Sequence, residues 1–400
     1  MISRVFRWTK GLLSCALLLI CALVAPFFGE ERASPISAVA RAQSVAAPPE
    51  SRTASPRPGA TAASPAPRKG GEENGLKPFK LAMGLIAGLA LFLYGVEQMA
   101  RGFQAAAGDR IKDWLTRFTK NRFAAAGTGM VATTLLDSSS VTIILLITLI
   151  HAGLISFTNS LGVVLGANIG TAVGSQLIAF EIHEYAPLAL AAGVLLHLAG
   201  RSDRAKNAGL ILFGLGLLFF GLGYLGDAME PLKEYKPFTD LMARLGKTPL
   251  LGALAGCLFT LVIQSSSATV GIAITMAQSG LIDLPAGVAI MLGAEIGTVS
   301  DTLLASIGRS REAVRTAVFH LLFNLVTVSL GLLLVGPLTR AAQMLPGSGV
   351  ARDIANAHLT FNVLGVALVI GFLPWIARAL ERVIPPKPDQ TGGPEPGADP

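Results

Sequence analysis

Residues 129–171 read GMVATTLLDSSSVTIILLITLIHAGLISFTNSLGVVLGANIGT, and residues 256–298 read GCLFTLVIQSSSATVGIAITMAQSGLIDLPAGVAIMLGAEIGT. A shift of 127 positions aligns them without a gap, and 17 of the 43 positions are identical. Ser138-Ser139-Ser140 falls on Ser265-Ser266-Ser267, Thr133 on Thr260, and Thr142 on Thr269. The block Gly166-Ala167-Asn168-Ile169-Gly170-Thr171 falls on Gly293-Ala294-Glu295-Ile296-Gly297-Thr298. Apolar bias matches scattered Leu and Ala positions. It does not put a Ser triplet and a Gly-Ala-x-Ile-Gly-Thr block in register, so the chain carries an internal repeat.

Both copies sit in strongly apolar surroundings. The chain is 52% hydrophobic and only 14% charged, too apolar for an ordinary soluble enzyme. Runs with few charges recur between residues 80 and 378, and a bilayer-spanning helix needs about 20 apolar residues. The expected fold is an all-α polytopic membrane protein. Helices are predicted near Leu81–Phe103, Thr158–Phe180, Ala186–Gly200, Ala208–Leu225, Pro285–Ile307, Ala313–Leu338 and Ile354–Ala377. A basic amphipathic piece covers Asp109–Arg122, and a mixed-charge loop covers Gly226–Lys247. Repeat 1 spans about 123–180 and repeat 2 about 248–307, within a membrane domain of residues 79–380.

The Ser triplets lie near the middle of two long apolar stretches, Phe123–Ile155 and Thr248–Ile282. Folded back as a re-entrant-like helical hairpin, each stretch has arms of about 15 residues. Such an arm reaches about 22 Å, past the middle of a ~30 Å hydrocarbon core. The triplets then become hairpin tips deep in the membrane.

Charge sets the orientation. Arg110, Lys112, Arg117, Lys120 and Arg122 form one basic cluster. Others are Arg201, Arg204 and Lys206; Arg309, Arg311 and Arg315; and Arg378, Arg382 and Lys387. All belong on the cytoplasmic side, with the mature N-terminus outside and the C-terminus inside. The acidic loop of Glu181 and Glu184 belongs outside. Three crossings then separate the hairpins. Three is odd, so the repeats are inverted, the architecture of secondary transporters with a site near the midplane. The formal net charge of +7 is distributed over these clusters and forms no stripe for nucleic acid.

Broken helices at membrane depth are tolerated where they line a cavity. Helix N-termini with Ser hydroxyls suit an oxyanion, and free carbonyls, hydroxyls and amide oxygens suit a hard cation such as Na+. The bland alternative is that membrane Ser and Thr bond back to their own helices; two triplets in register argue against it. A Ser nucleophile lacks a Gly-x-Ser-x-Gly elbow at either triplet, and no Walker motif points to ATP drive.

At these residues the chain resembles the type II sodium/phosphate cotransporter family. Gln264-Ser265-Ser266-Ser267-Ala268-Thr269 and Gly166–Thr171 are similar to its signature motifs. Leu89-Ala90-Leu91-Phe92-Leu93-Tyr94-Gly95 with Ala107-Gly108-Asp109-Arg110 is similar to its opening helix. So is the His-x-x-Phe-Asn element, present at His320–Asn324 and His358–Asn362. The resemblance covers residues 80–378. It implies coupled movement of inorganic phosphate with Na+ in a bacterial cytoplasmic membrane. Matched residue by residue, it implies substrate and ion contacts at Ser138, Ser139, Ser140, Thr142, Asn168, Thr171, Gln264, Ser265, Ser266, Ser267, Thr269 and Thr298. No cofactor beyond the coupling ion is expected. Many bacterial relatives carry a soluble regulatory domain; here any such phosphate-regulatory partner is expected to be a separate protein.

The pattern departs twice. Asp137 stands where the family has Gln, and Glu295 where it has Asn. Carboxyl groups at membrane depth are costly and usually functional. They are read either as cation or proton sites, or as neutral hydrogen-bonded acids. Asp301 is a further candidate cation ligand. His320 and His358 are read as packing or polar-network residues, and Glu97 as an interior polar contact. Outside the membrane domain, residues 1–42 read as a signal peptide or an uncleaved helix. Residues 43–78 read as a Pro/Ala/Ser-rich linker and 381–400 as a disordered tail. Cys15, Cys21 and Cys257 have no metal or disulfide spacing.

Overall fold

The computed structural model describes residues 78–385 apart from residue 181. The expected signal peptide, nearly all of the linker, most of the tail, Cys15, Cys21 and Glu181 lie outside the described residues. Among the described residues there is no strand.

The described residues open with one unbroken helix, α1 (Pro78–Arg117). The sequence suggested two pieces. Ala105-Ala106-Ala107 are strong helix formers, and they carry the helix through to the basic segment. The first triplet stretch is a hairpin of α2 (Arg122–Leu136) and α3 (Ser139–His151), followed by α4 (Phe157–Ile178). Next come α5 (Ala186–Ala199) and α6 (Asp203–Met229). The expected loop Gly226–Lys247 is mostly helical: α6 runs into it, and α7 (Lys236–Lys247) is an amphipathic helix burying Met242 and Leu245. The second hairpin is α8 (Pro249–Ile263) with α9 (Ser266–Gln278), then α10 (Leu284–Gly297) and α11 (Val299–Ser306), separated only by Thr298. The described residues end with α12 (Arg311–Leu333), α13 (Val335–Gln343), α14 (Val350–Ile370) and α15 (Leu373–Val383).

The last two predicted helices are therefore each a spanning helix plus a short amphipathic one. Ala313–Leu338 stops at Leu333, and Ile354–Ala377 stops at Ile370. Gly371 and Pro374 mark the second break, because Pro fits the first turn of a helix and not its interior. α15 reaches Val383, three residues into the expected tail.

Among the described residues six helices are long and apolar enough to cross a membrane: Pro78–Ala107, Phe157–Ile178, Asp203–Lys233, Leu284–Ser306, Arg311–Leu333 and Val350–Ile370. α5, expected to cross, has only 14 residues. It rises about 21 Å and falls short of a ~30 Å core. It packs along α6 and exposes Leu188, Leu195 and Leu198.

α1, α5 and α6 form one layer, closed by small residues. A Cβ at Gly88 would touch the backbone of Leu225, and one at Gly102 the backbone of Ile211. The second layer holds both repeats. α2 packs on α4 and α8 on α10. Of the last four helices, α12 packs on α10 and α11 with α13 against α10, while α14 packs most extensively on α4 with α15 against α4; α12 also meets α3 and α4, and α14 also meets α9 and α10. This division has its own sequence signature. Shifting residues 313–341 by 38 gives ten identities in 29 positions, including His320/His358, Phe323/Phe361 and Asn324/Asn362. The molecule thus holds two similar units. One is α2–α4 with α14–α15; the other is α8–α13.

Candidate functional site

Each triplet builds the same tip. Leu136 ends α2 and Ile263 ends α8. The next residues, Asp137 (φ 48°, ψ 30°) and Gln264 (φ 58°, ψ 32°), adopt the left-handed conformation. They are the only non-Gly residues with positive φ among the described residues. That conformation costs about 1–2 kcal/mol for an L-residue and collects at functional sites. Ser138 and Ser265 then turn extended and cap the second arms. The Ser138 hydroxyl accepts from Val141 N at 3.2 Å, and Ser265 from Ala268 N at 3.1 Å.

Matched threonines tie the arms together. Thr133 Oγ1 donates to Thr142 Oγ1 at 2.9 Å, and Thr260 to Thr269 at 2.7 Å. Thr142 and Thr269 also stand within 3.1 Å of the carbonyls of Ser138 and Ser265. Thr142 and Thr269 are thus spent on holding the hairpins shut. The backbone N–H groups at the starts of α3 and α9, borne by residues 139–140 and 266–267, have no intrahelical acceptor, since the first turn of any helix leaves its donors open. With the positive end of the helix dipole, they suit an anion.

Glycines bring each hairpin against its neighbour. Gly166 meets the carbonyl of Ala126, and the matched Gly293 meets that of Ala253. Gly129 meets Val163 and Gly256 meets Ile290 in the same manner.

The other predicted residues fall into three groups. Ser140, Thr298 and Asp301 come together: Ser140 Oγ donates to Asp301 Oδ2 at 3.0 Å and lies 3.4 Å from Thr298 Oγ1. This links the first tip to the second repeat. Asn168 and Thr171 are buried and bonded within α4, to the carbonyls of Val164 and Ala167. Ser139, Ser266, Ser267 and Gln264 make no side-chain hydrogen bond among the described residues. Asp137 likewise has none there. It faces Gly174, where a Cβ would lie 2.7 Å from Oδ1.

Glu295 is separate from the tips. Its Oε1 is 2.6 Å from His358 Nε2 and accepts from Asn362 Nδ2 at 3.3 Å. His358 Nδ1 continues to Ser175 Oγ at 2.7 Å. On the other side Asn324 Nδ2 donates to the Glu295 carbonyl at 2.9 Å and lies 3.1 Å from His320 Nε2. His320 Nδ1 is 3.0 Å from Thr302 Oγ1. Ser175 and Thr302 are related by the 127-residue shift, and the two histidines by the 38-residue shift. Reading the sequence picked out neither Ser175 nor Thr302, nor the asparagines as partners of Glu295. The duplicated His-x-x-Phe-Asn element was the available signal. Glu97 does not reach the interior: it is half-exposed and pairs with Arg101 one turn on, at 2.7 Å. No cluster of three His, Cys, Asp or Glu suited to a metal ion occurs among the described residues.

A model of the Na+/Pi-cotransporter family matches residues 91–227 and 229–370. The "Uncharacterized protein YqeW" of Bacillus subtilis is 28% identical over 75% of this chain and 97% of that protein. The "Putative inorganic phosphate export protein YjbB" of Salmonella typhimurium is 27% identical over 76% of this chain and 56% of its own length. The chain therefore spans little more than half of that exporter. Human "Sodium-dependent phosphate transport protein 2B" is 36% identical over a shorter region, 20% of this chain and 12% of that protein. No solved structure matches. With the family model covering both hairpins and their supporting helices, the chain belongs to the Na+/Pi-cotransporter family, a family of membrane transporters.

Proposed function

We propose that this protein is a sodium-coupled symporter of inorganic phosphate in a bacterial cytoplasmic membrane. Phosphate is held between the two hairpin tips by open backbone N–H groups and the hydroxyls of Ser139, Ser140, Ser266 and Ser267. Asp301, with Ser140 and Thr298, supplies oxygens to Na+, and Asp137 is a second acid for the cation. The observation that carries this reading is the matched tip: a left-handed residue, a capping Ser and two open N–H positions, used twice. Purified protein in liposomes should accumulate labelled phosphate on an inward Na+ gradient and stop when choline replaces Na+. Flux indifferent to Na+ would defeat the coupling.

Export is the second reading. It is favoured by the match to a named phosphate export protein over three quarters of this chain. Reversing the Na+ gradient in the same liposomes separates the two directions.

Two further expectations belong here. Asp137→Gln restores the amide usual in the family and should change the Na+ concentration needed for half-maximal flux; an unaltered Na+ response would leave Asp137 a structural acid. The proposed orientation places Lys120 inside and Glu184 outside, with the spanning helix α4 between them. Single cysteines there, in a protein lacking its own, should react with an impermeant thiol reagent from opposite sides of the membrane.

A further inference from the structure

Besides Asp283, which caps α10, repeat 2 carries two carboxyl groups that repeat 1 lacks. Glu295 aligns with Asn168, and Asp301 with Gly174. Both reach out of their own unit. Asp301 accepts from Ser140 of α3, and Glu295 meets His358 and Asn362 of α14, the helix packed along α4. Neither contact is returned. Asn168 donates to its own helix, and His320, the counterpart of His358, pairs with Asn324 instead. The two units are therefore tied by acid bridges on one side only.

We propose that Glu295 and His358 form a proton-binding site that couples proton movement to transport, a reading that rests on the transport function above. Glu295 is 2% exposed and His358 0%. An isolated carboxylate in such surroundings is costly, and a short bond to imidazole offers a place for one proton. Without it, His358 Nε2–H donates to the Glu295 carboxylate and Nδ1 accepts from the Ser175 hydroxyl. With it, the pair is neutral overall and Nδ1–H donates to Ser175. Both states use the same bonds, so the proton changes charge without dismantling the junction.

The asparagines beside the pair hold Glu295 in place. Asn324 Nδ2 donates to its main-chain carbonyl and Asn362 Nδ2 to its Oε1, while both Asn Oδ1 atoms are buried with no donor among the described residues.

The surroundings isolate this pair. Of the elements packed on α10 and α14, α4 and α9 carry no acid or base, and α8 only the Cys257 thiol. α12 contributes buried His320, reached through Asn324; its Arg311, Glu312 and Arg315 stand in the first two turns, before His320. α11 contributes Asp301, engaged by Ser140. Arg352 and Asp353 stand at the start of α14. Arg340 of α13 and Lys236, Asp240, Arg244 and Lys247 of α7 are exposed.

The test uses the full chain in liposomes with equal Na+ on both sides, labelled phosphate, an imposed pH gradient and a trapped pH dye. Wild type is compared with Glu295→Gln, His358→Gln and the double variant. Phosphate ionises identically in every sample, so differences between proteins belong to the protein. Wild-type flux should follow the pH gradient. Both single variants should lose that response while keeping Na+-driven flux, and the double variant should lose nothing more. A wild-type pH response in either single variant overturns the proposal. A wild-type protein that carries no phosphate under any gradient overturns the transport reading instead.

Discussion

Gly166→Ala and Gly293→Ala should each strongly destabilise the protein, whereas Gly127→Ala should not. At Gly166 and Gly293 the new methyl group would collide with a main-chain carbonyl, of Ala126 or Ala253, at the tightest contact between hairpin and supporting helix. A flexible side chain could move aside; a carbonyl within a helix cannot move without displacing that helix. The cost belongs at or above the upper end of the roughly 1–3 kcal/mol typical of overpacking. At the usual unfolding entropy per residue, each kcal/mol lowers the melting temperature of a chain of this size by roughly 1–2 °C. Gly127 also lies inside α2, but a Cβ there meets nothing within 4 Å. Ala should stabilise it by up to about 1 kcal/mol through helix propensity. Thermal unfolding in detergent would measure all three. Equal melting temperatures would mean that the hairpins do not depend on this close approach.

The second large effect is functional. Ser140→Ala should reduce phosphate flux roughly 10- to 100-fold, and Asp301→Asn tells why. Ser140 is the tip residue that reaches the second repeat, through a hydrogen bond to a carboxylate. Such a bond contributes about 1.5–3 kcal/mol, and each 1.4 kcal/mol withdrawn from one state of the cycle changes rate about tenfold. Asn at 301 retains an oxygen for the Ser140 hydroxyl but removes the charge. If Asp301 serves Na+, Asp301→Asn should raise the Na+ requirement sharply. If it only positions Ser140, Asp301→Asn should transport nearly normally. Undiminished flux in Ser140→Ala would remove the contact between the repeats from the mechanism.

The tips were legible because their chemistry is local. A Ser triplet inside a long apolar stretch requires a break, and the 127-residue repeat shows the break twice. The segment ends were less legible. The long α1, the helical loop before Thr248 and the short amphipathic α13 and α15 depend on where each helix finds a partner or an interface. Hydropathy along the chain averages over those choices. Glu97 illustrates the limit: its place in an apolar run suggested the interior, but helix rotation turns it outward to Arg101.

The sequence by itself determined an all-helical membrane protein with two equivalent Ser-rich breaks, and marked Asp137 and Glu295 as unmatched between the repeats. Those conclusions follow from hydrophobic runs and register, which are properties of neighbours along the chain. Only the tertiary structure decided what each acid touches. Asp301 meets a serine 161 residues away, and Glu295 meets a histidine 63 residues away. The first depends on α11 of one repeat meeting α3 of the other, and the second on the late helix α14 packing beside α10 as well as α4. That assignment is made by complementary packing and buried hydrogen bonds between distant segments. It separates the two carboxyl groups that bridge the units, Glu295 and Asp301, from Asp137, which stays at its own tip.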